Sequence, residues 1–315
     1  MEFVPCEFVE HVIENISVLN SPLGPFAKLA GRHWTKYAKA FSPKVSLYKA
    51  VLHLDPNNSS QWNVEVEKFG RRYWKRVSLR DLLRTPRKFI RFHSVNLEDG
   101  DEHFEMIYNH SFEDSVQKIL GLLADQKKCR EFVVDIDNAS IAEEVLGMIH
   151  QRTFFKEISV SVEEHPSGPL RPLFFHFLKD QESFGFCKAY ILSGFWPREI
   201  FVWAKDTIKK KMPVDISIAS PLSDFAIFEE LFAWWDNLEK PELNCSFSMK
   251  VTFDRKRMEE FMHPHATKAY HNVICRKHKT DPRARAYALL SKAIEEEVNL
   301  HFRNAGNPDA KRWLN

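Results

Sequence analysis

From Arg130 onward the chain keeps a rhythm that few folds can satisfy. Strand-like runs recur as EFVVDID, EISVSV, KAYIL, VDISIA and FSMKVTF. Between most of them lie helical patterns: IAEEVLGMIHQ, LRPLFFHFLKDQ, REIFVWAKDTIKKK and FAIFEELFAWWDN. Aligning Phe132, Ile158, Ala189, Val214 and Phe247 gives intervals of roughly 25 to 33 residues, the range of βα solenoid repeats. Two strands joined through a helix run parallel, because a crossover of that length returns the chain to the same end. Repeated βα units therefore predict a mixed α/β chain with a largely parallel sheet and helices outside it.

The residues before this array read differently. SLYKAVLHLD and QWNVEVEKF alternate on either side of DPNNSS, a strong turn segment, so the spacing predicts a hairpin across Val45–Phe69. RVSLRDLLRTP predicts a short helix that stops before Pro86, and KFIRFHSVNLED predicts a strand with which DEHFEMIYN pairs. HSFEDSVQKILGLLADQ predicts an amphipathic helix with Ser111 as its N-cap. After Asp254 two helices are expected. RKRMEEFMH forms the first, and DPRARAYALLSKAIEEEVNLHFRNAG forms a long second one, with Pro282 near its start and Gly306 near its end. The long helix would cap the open end of the array.

Composition excludes several classes of function. Among 315 residues, 44% are hydrophobic and 26 are Phe, which suits a packed core rather than a disordered tail. The net charge of +2 nominates neither nucleic acid nor membrane for the whole molecule. Ten glycines include no G-x-G phosphate loop and no Walker-type stretch. The five cysteines are Cys6, Cys129, Cys187, Cys245 and Cys275, an odd number without a C-x-x-C pair. That pattern suits free thiols in a reducing compartment. Glu2, Glu7 and Glu10 occupy the place of a basic leader, and no run approaches the ~18 apolar residues of a membrane span. A cytoplasmic or nuclear protein is expected, with no cofactor or metal.

The N-terminus carries the most specific pattern. In VPCEFVEHVIENI, Val9, Val12, Ile13 and Ile16 recur at helical spacing, and Val4 and Phe8 extend their face. Pro5 is tolerated in the first turn, where its missing N–H has no partner to lose. A second amphipathic piece places Phe26, Leu29, Ala30 and Trp34 against polar Lys28, Arg32 and His33. Two helices this short need a further surface to bury their apolar faces.

These residues resemble an F-box over roughly the first 40 positions, the size of a small helical hairpin. Val4, Pro5, Glu7, Phe8, Val9, Val12, Ile13 and Ile16 follow its opening order without a gap, and Gly31, Arg32, His33 and Trp34 match its ending. Val4 stands where the family usually has Leu, Phe8 likewise, and the connector is a few residues longer. The opening also resembles nematode-expanded families of F-box-like proteins. The resemblance implies docking on the small adaptor subunit of a cullin-type (SCF) ubiquitin ligase. Val4, Pro5, Phe8, Val9, Val12, Ile16 and Trp34 would be in or behind that contact.

Four other features carry chemistry-bearing residues. The stretch 71–91 is basic, with Arg71, Arg72, Lys75, Arg76, Arg80, Arg84, Arg87, Lys88 and Arg91 against Asp81 alone, and Tyr73, Trp74, Phe89 and Phe92 interleaved. Arg71, Arg72, Lys75, Arg76, Arg87 and Lys88 are its candidate anion-binding residues. Such a surface suits single-stranded nucleic acid or a phosphopeptide, although a solvated charged face has the same composition. His263, His265, His271, Cys275 and His278 could ligate a metal but match no standard zinc spacing; a helix would place His271 and Cys275 on one face. Asp135 and Asp137, followed by Asn138, end a predicted strand, where they either serve acid–base chemistry or cap the next helix. Trp196, Trp203, Trp234 and Trp235 fit core packing; the adjacent pair points about 100° apart, so the two are not equally buried.

The expected organisation is thus an F-box-like helical segment at 1–43, a β-hairpin-containing linker region at 44–128 and a βα repeat domain with a helical cap at 129–315. The array resembles a degenerate leucine-rich repeat, since the ordinary Leu and Asn spacing is absent; a compact parallel α/β domain is the alternative. The expected function is that of a non-enzymatic adaptor that brings a protein substrate to a ubiquitin ligase. The alternative is a nucleic-acid or phosphopeptide-binding module built on 71–91, with no ligase role.

Overall fold

Period-two burial is clearest in the first hairpin. Strand β1 (Ser46–Asp55) buries Tyr48, Ala50, Leu52 and Leu54 and leaves the residues between them half-exposed. One face therefore belongs to the core and the other stays at the surface. Two side-chain bonds shape the turn: Asn57 N–H donates to the Asp55 carboxylate at 2.9 Å, and Ser60 N–H to the Asn58 side chain at 3.2 Å. Strand β2 (Asn58–Phe69) then returns antiparallel, with Ala50 opposite Val66 and Lys49 opposite Glu67. This is the hairpin expected from the alternation.

The structure is a computed structural model that describes residues 32–70, 72–100, 107–162, 172–210, 214–220, 225–241, 245–250, 266–269, 273–281, 283–290 and 297–304, together with the single positions Phe8, Val12 and Glu260. The chain divides into two compact units, Met1–Ser159 with Pro172–Phe186, and Val160–Arg171 with Cys187–Asn315. The fold class is mixed α/β.

The first unit adds to the hairpin α1 (Arg32–Phe41), β3 (Trp74–Val77), α2 (Leu79–Arg84), β4 (Ile90–Asp99), β5 (His110–Ser111), α3 (Gln117–Ala124), β6 (Lys128–Asp135), α4 (Ala139–Ile149), the start of β7 (Phe154–Val162) and α5 (Pro172–Phe184). Its strand order is β3-β2-β1-β4-β6-β7. Strands β1, β4 and β6 are parallel. Ser111 caps the turn before α3 by accepting from Asp114 N–H at 3.1 Å, as expected. The expected pairing of DEHFEMIYN with β4 does not occur among the described residues: 107–109 are irregular, and β5 pairs with β2 at Gln61 and Trp62. Both edges of β4 are already taken, by β1 and β6.

Two buried glutamines strap the helices of this unit to its strands. The Gln126 side-chain oxygen accepts from Phe92 N–H at 2.9 Å. The Gln181 side chain accepts from Phe155 N–H and donates to the Thr153 carbonyl, both at 2.9 Å. The sequences around them correspond, Leu123-Ala-Asp-Gln126 and Leu178-Lys-Asp-Gln181. Each strap satisfies backbone groups that a buried strand start leaves without a partner. Above them Phe132, Phe155 and Phe177 form one aromatic cluster, with centroids 4.7 to 6.3 Å apart.

The second unit contains β8 (Ala189–Gly194), α6 (Arg198–Lys209), β9 (Asp215–Ala219), α7 (Ala226–Asp236), β10 (Cys245–Lys250), β11 (Ala266–Ala269), β12 (Val273–Lys277), β13 (Ala284–Leu290) and β14 (Glu297–Asn304). Strands β8, β9 and β10 are parallel and lie in chain order. Helix α6 buries Ile200, Phe201, Trp203, Ala204, Thr207 and Ile208, and α7 buries Phe228, Leu231, Phe232 and Trp235. Both sets follow the helical stripe that a sheet-packed helix requires.

The long C-terminal helix is overturned. Residues 284–290 and 297–304 are antiparallel strands, and β14 pairs with the edge of β10. Ala284 and Ala286 are buried while Arg285 and Tyr287 are half-exposed, a period of two. Alanine favours helix in isolation, but a row of unpaired N–H and C=O groups on β10 rewards a strand there. The expected helical cap is replaced by the antiparallel order β14-β13-β12-β11. Of RKRMEEFMH, only Glu260 is described, and it is helical.

Three cysteines open alternate strands. Cys129 and Cys187 are buried, and each thiol donates to the carbonyl two residues on, at 3.5 and 3.2 Å. Cys245 opens β10, and the three positions are equally spaced along the chain. Burial pushes the Cys129 thiol up to about 12. Because the thiolate is the reactive form, Cys129 stays unmodified by iodoacetamide at pH 8 in the native protein and is modified fully in urea. Peptide mass spectrometry checks this; native labelling at Cys129 would contradict the packing.

Candidate functional site

Of the F-box-like face, Phe8 and Val12 fall within the described residues. Both are helical; Phe8 is 54% exposed and Val12 half-buried. They are four residues apart, the spacing that places side chains on one face of a helix. Val4, Pro5, Val9, Ile13 and Ile16 lie outside the described residues. Trp34 is half-buried on α1, packed on a satellite cluster of Ala38 and Phe41 with Tyr37, Val45 and Phe89. Tyr37 stacks on Phe41 at 5.6 Å, and Phe41 meets Phe89 at 5.5 Å. Trp34 thus anchors α1 to residues that flank β1 and β4.

The basic stretch is exposed along most of its length. Arg72, Lys75, Arg76, Arg80, Arg84, Arg87 and Lys88 all reach solvent; Arg71 lies outside the described residues. Two of the cations are engaged by acids, Arg76 with Glu65 at 2.7 Å and Arg87 with Asp125 at 3.2 Å. At such exposure each pair contributes at most ~1 kcal/mol and releases its arginine readily. Lys75 lies over Tyr73 at 5.2 Å, and Lys88 over Phe89 at 5.4 Å.

Strand register brings part of this stretch together with residues that a linear reading does not associate with it. Trp74 sits opposite Phe69, and their rings meet at 5.1 Å. His93 of β4 lies edge-on to Trp74 at 5.6 Å. The Lys49 ammonium lies 4.5 Å from the Trp74 ring centre, a cation–π contact. Phe69, Trp74 and Lys49 share the strand face opposite the buried Tyr48, Ala50 and Val66. Phe69 is 43% exposed. His93 is held below the usual imidazole range, first by burial and then by the positive charges of Arg130 and Lys49. The result is an aromatic row with Lys49 over its central ring, and with Glu67 opposite Lys49 and Arg76 on the same face. Strand alternation in the hairpin, combined with its register, is the signal that could have added Lys49 and Phe69; nothing in the linear sequence points to Arg130 or His93.

The other candidates resolve into structural roles. Asn138 caps α4, accepting from Ser140 and Ile141 N–H at 3.1 and 3.2 Å, while Asp137 N–H donates to Asp99 at 2.7 Å. Cys275 is on a strand, not on the helix face expected for it, and His278 is buried beyond that strand's end. The His278 ring bonds the Trp235 carbonyl at 2.9 Å and receives Thr280 N–H at 3.2 Å. His263, His265 and His271 lie outside the described residues, and no metal-binding group of three or more occurs among those described. Trp196, Trp203 and Trp235 are buried, and Trp234 is half-exposed. No described helix is long and apolar enough to cross a membrane. No family model, curated protein or solved structure matches this chain.

Proposed function

We propose that the chain is the substrate-recognition adaptor of a cullin-type (SCF) ubiquitin ligase in the cytoplasm or nucleus, itself without catalytic activity. The N-terminal helices would bind the small ligase adaptor, and the βα array would present a protein substrate. The observation that carries this reading is Phe8, a large apolar side chain in helical conformation left more than half exposed, four residues before helical Val12. An amphipathic helix normally turns such a residue inward, so its exposure suits an incoming apolar groove. The array would be a degenerate, leucine-rich-repeat-like one. In support, parallel strands follow one another in chain order within each unit, and equivalent cysteines and glutamines recur. The mechanism is proximity: a held substrate meets the ubiquitin-loaded enzyme at high effective concentration.

Val9→Asp and Val12→Asp each place a carboxylate in the proposed apolar contact, at a cost of several kcal/mol when desolvated. Co-purification of the full chain with the small adaptor subunit is expected to fall more than ~100-fold. Circular dichroism of both variants should match wild type. Absence of binding by the wild-type chain would end this reading.

A further inference from the structure

One strand face of the first unit bears aromatic and cationic residues that the ligase reading does not use. We propose that Lys49, Phe69, Trp74, Arg76, His93 and Arg130 form a platform for single-stranded nucleic acid, with bases stacked on the rings and phosphates held by the cations. Phe69, Trp74 and His93 form a row with ring centres 5.1 and 5.6 Å apart. The cations stand beside that row rather than across the molecule. Lys49 lies directly over Trp74. Arg130 is exposed, makes no ion pair among the described residues and acts on His93. Arg76 pairs with half-exposed Glu65 and lies opposite Glu67 in the strand register.

A phosphorylated or acidic peptide would use the cations but has no need of the rings. A duplex hides its bases from them. A single strand offers both a π-face and a phosphate at each nucleotide, and stacking of this kind tolerates any base. In the free protein the Lys49 ammonium occupies the Trp74 ring as a placeholder. When a base stacks there, Lys49 is released toward the neighbouring phosphate, so one side chain serves both states.

The test is fluorescence anisotropy of a labelled oligo(dT) of about 15 nucleotides with the full chain at low salt. Trp74→Leu should weaken binding about 5- to 100-fold, while Trp74→Phe keeps the ring and most of the affinity. Lys49→Gln with Arg130→Gln should lower the slope of log affinity against log salt by about 1.4, at roughly 0.7 per phosphate contact. Arg80→Gln with Arg84→Gln on α2 removes the same charge elsewhere and should leave affinity within about twofold of wild type. The proposal is overturned if wild type binds no oligo(dT), or if a duplex or polyglutamate binds as tightly. Equal losses from the α2 pair and the platform pair would likewise reduce the effect to general polyanion attraction, and a Trp74→Phe variant as weak as Trp74→Leu would remove stacking.

Discussion

Gln181→Leu is expected to destabilise the first unit by about 2–5 kcal/mol, a large share of what holds a domain folded. Gln181 is 1% exposed, and its amide satisfies two backbone groups, Phe155 N–H and Thr153 C=O. Leucine fits the same space but leaves both groups buried without partners, at ~1–3 kcal/mol each. Gln126→Leu should cost about half as much, because only the bond from Phe92 is short; its second, to the Leu122 carbonyl, is 3.3 Å. Urea unfolding followed by circular dichroism measures the difference. With two units present the curve is fitted for two transitions, and the earlier one should shift. A Gln181→Leu protein as stable as wild type, or less affected than Gln126→Leu, would show that these straps do not support the strands.

Trp235→Ala should destabilise the second unit by about 3–5 kcal/mol, the range for emptying a large aromatic site. Trp235 is fully buried and touches three rings: Phe232 at 5.4 Å, Phe302 at 5.5 Å and His278 at 4.9 Å. It therefore joins α7 to β14 and to the segment after β12. Trp235→Phe should cost much less. It keeps an aromatic ring, and it removes an indole N–H that has no hydrogen-bond partner among the described residues, which offsets part of the lost volume. Thermal unfolding of both variants separates the cases. Equal losses would mean that ring volume is not what Trp235 contributes.

The elements that could be read from the chain are those whose local pattern and tertiary environment agree. The hairpin is one, since DPNNSS supplies turn chemistry and both flanks alternate. The helices after β6, β8 and β9 are others, because Val145, Ile200 and Phe228 belong to stripes that face a sheet. The C-terminal residues differ from expectation because alanine-rich, charged segments satisfy helix propensity as well as strand alternation; pairing with the edge of β10 favours the strand. Two correspondences along the chain were legible in Cys129 and Cys187 and in the paired Asp-Gln segments. Their meaning lies in hydrogen bonds to carbonyls and N–H groups that spacing alone does not reveal.

By itself, the sequence determined the mixed α/β class and the strand–helix alternation. These follow from periodicity, which is a local property of neighbouring residues. Only the tertiary structure decided that 284–290 and 297–304 are strands, and that Trp74 of the basic stretch meets Lys49, Phe69 and His93. Both depend on register between segments far apart in the chain, and register is settled by which backbone edges remain to be paired.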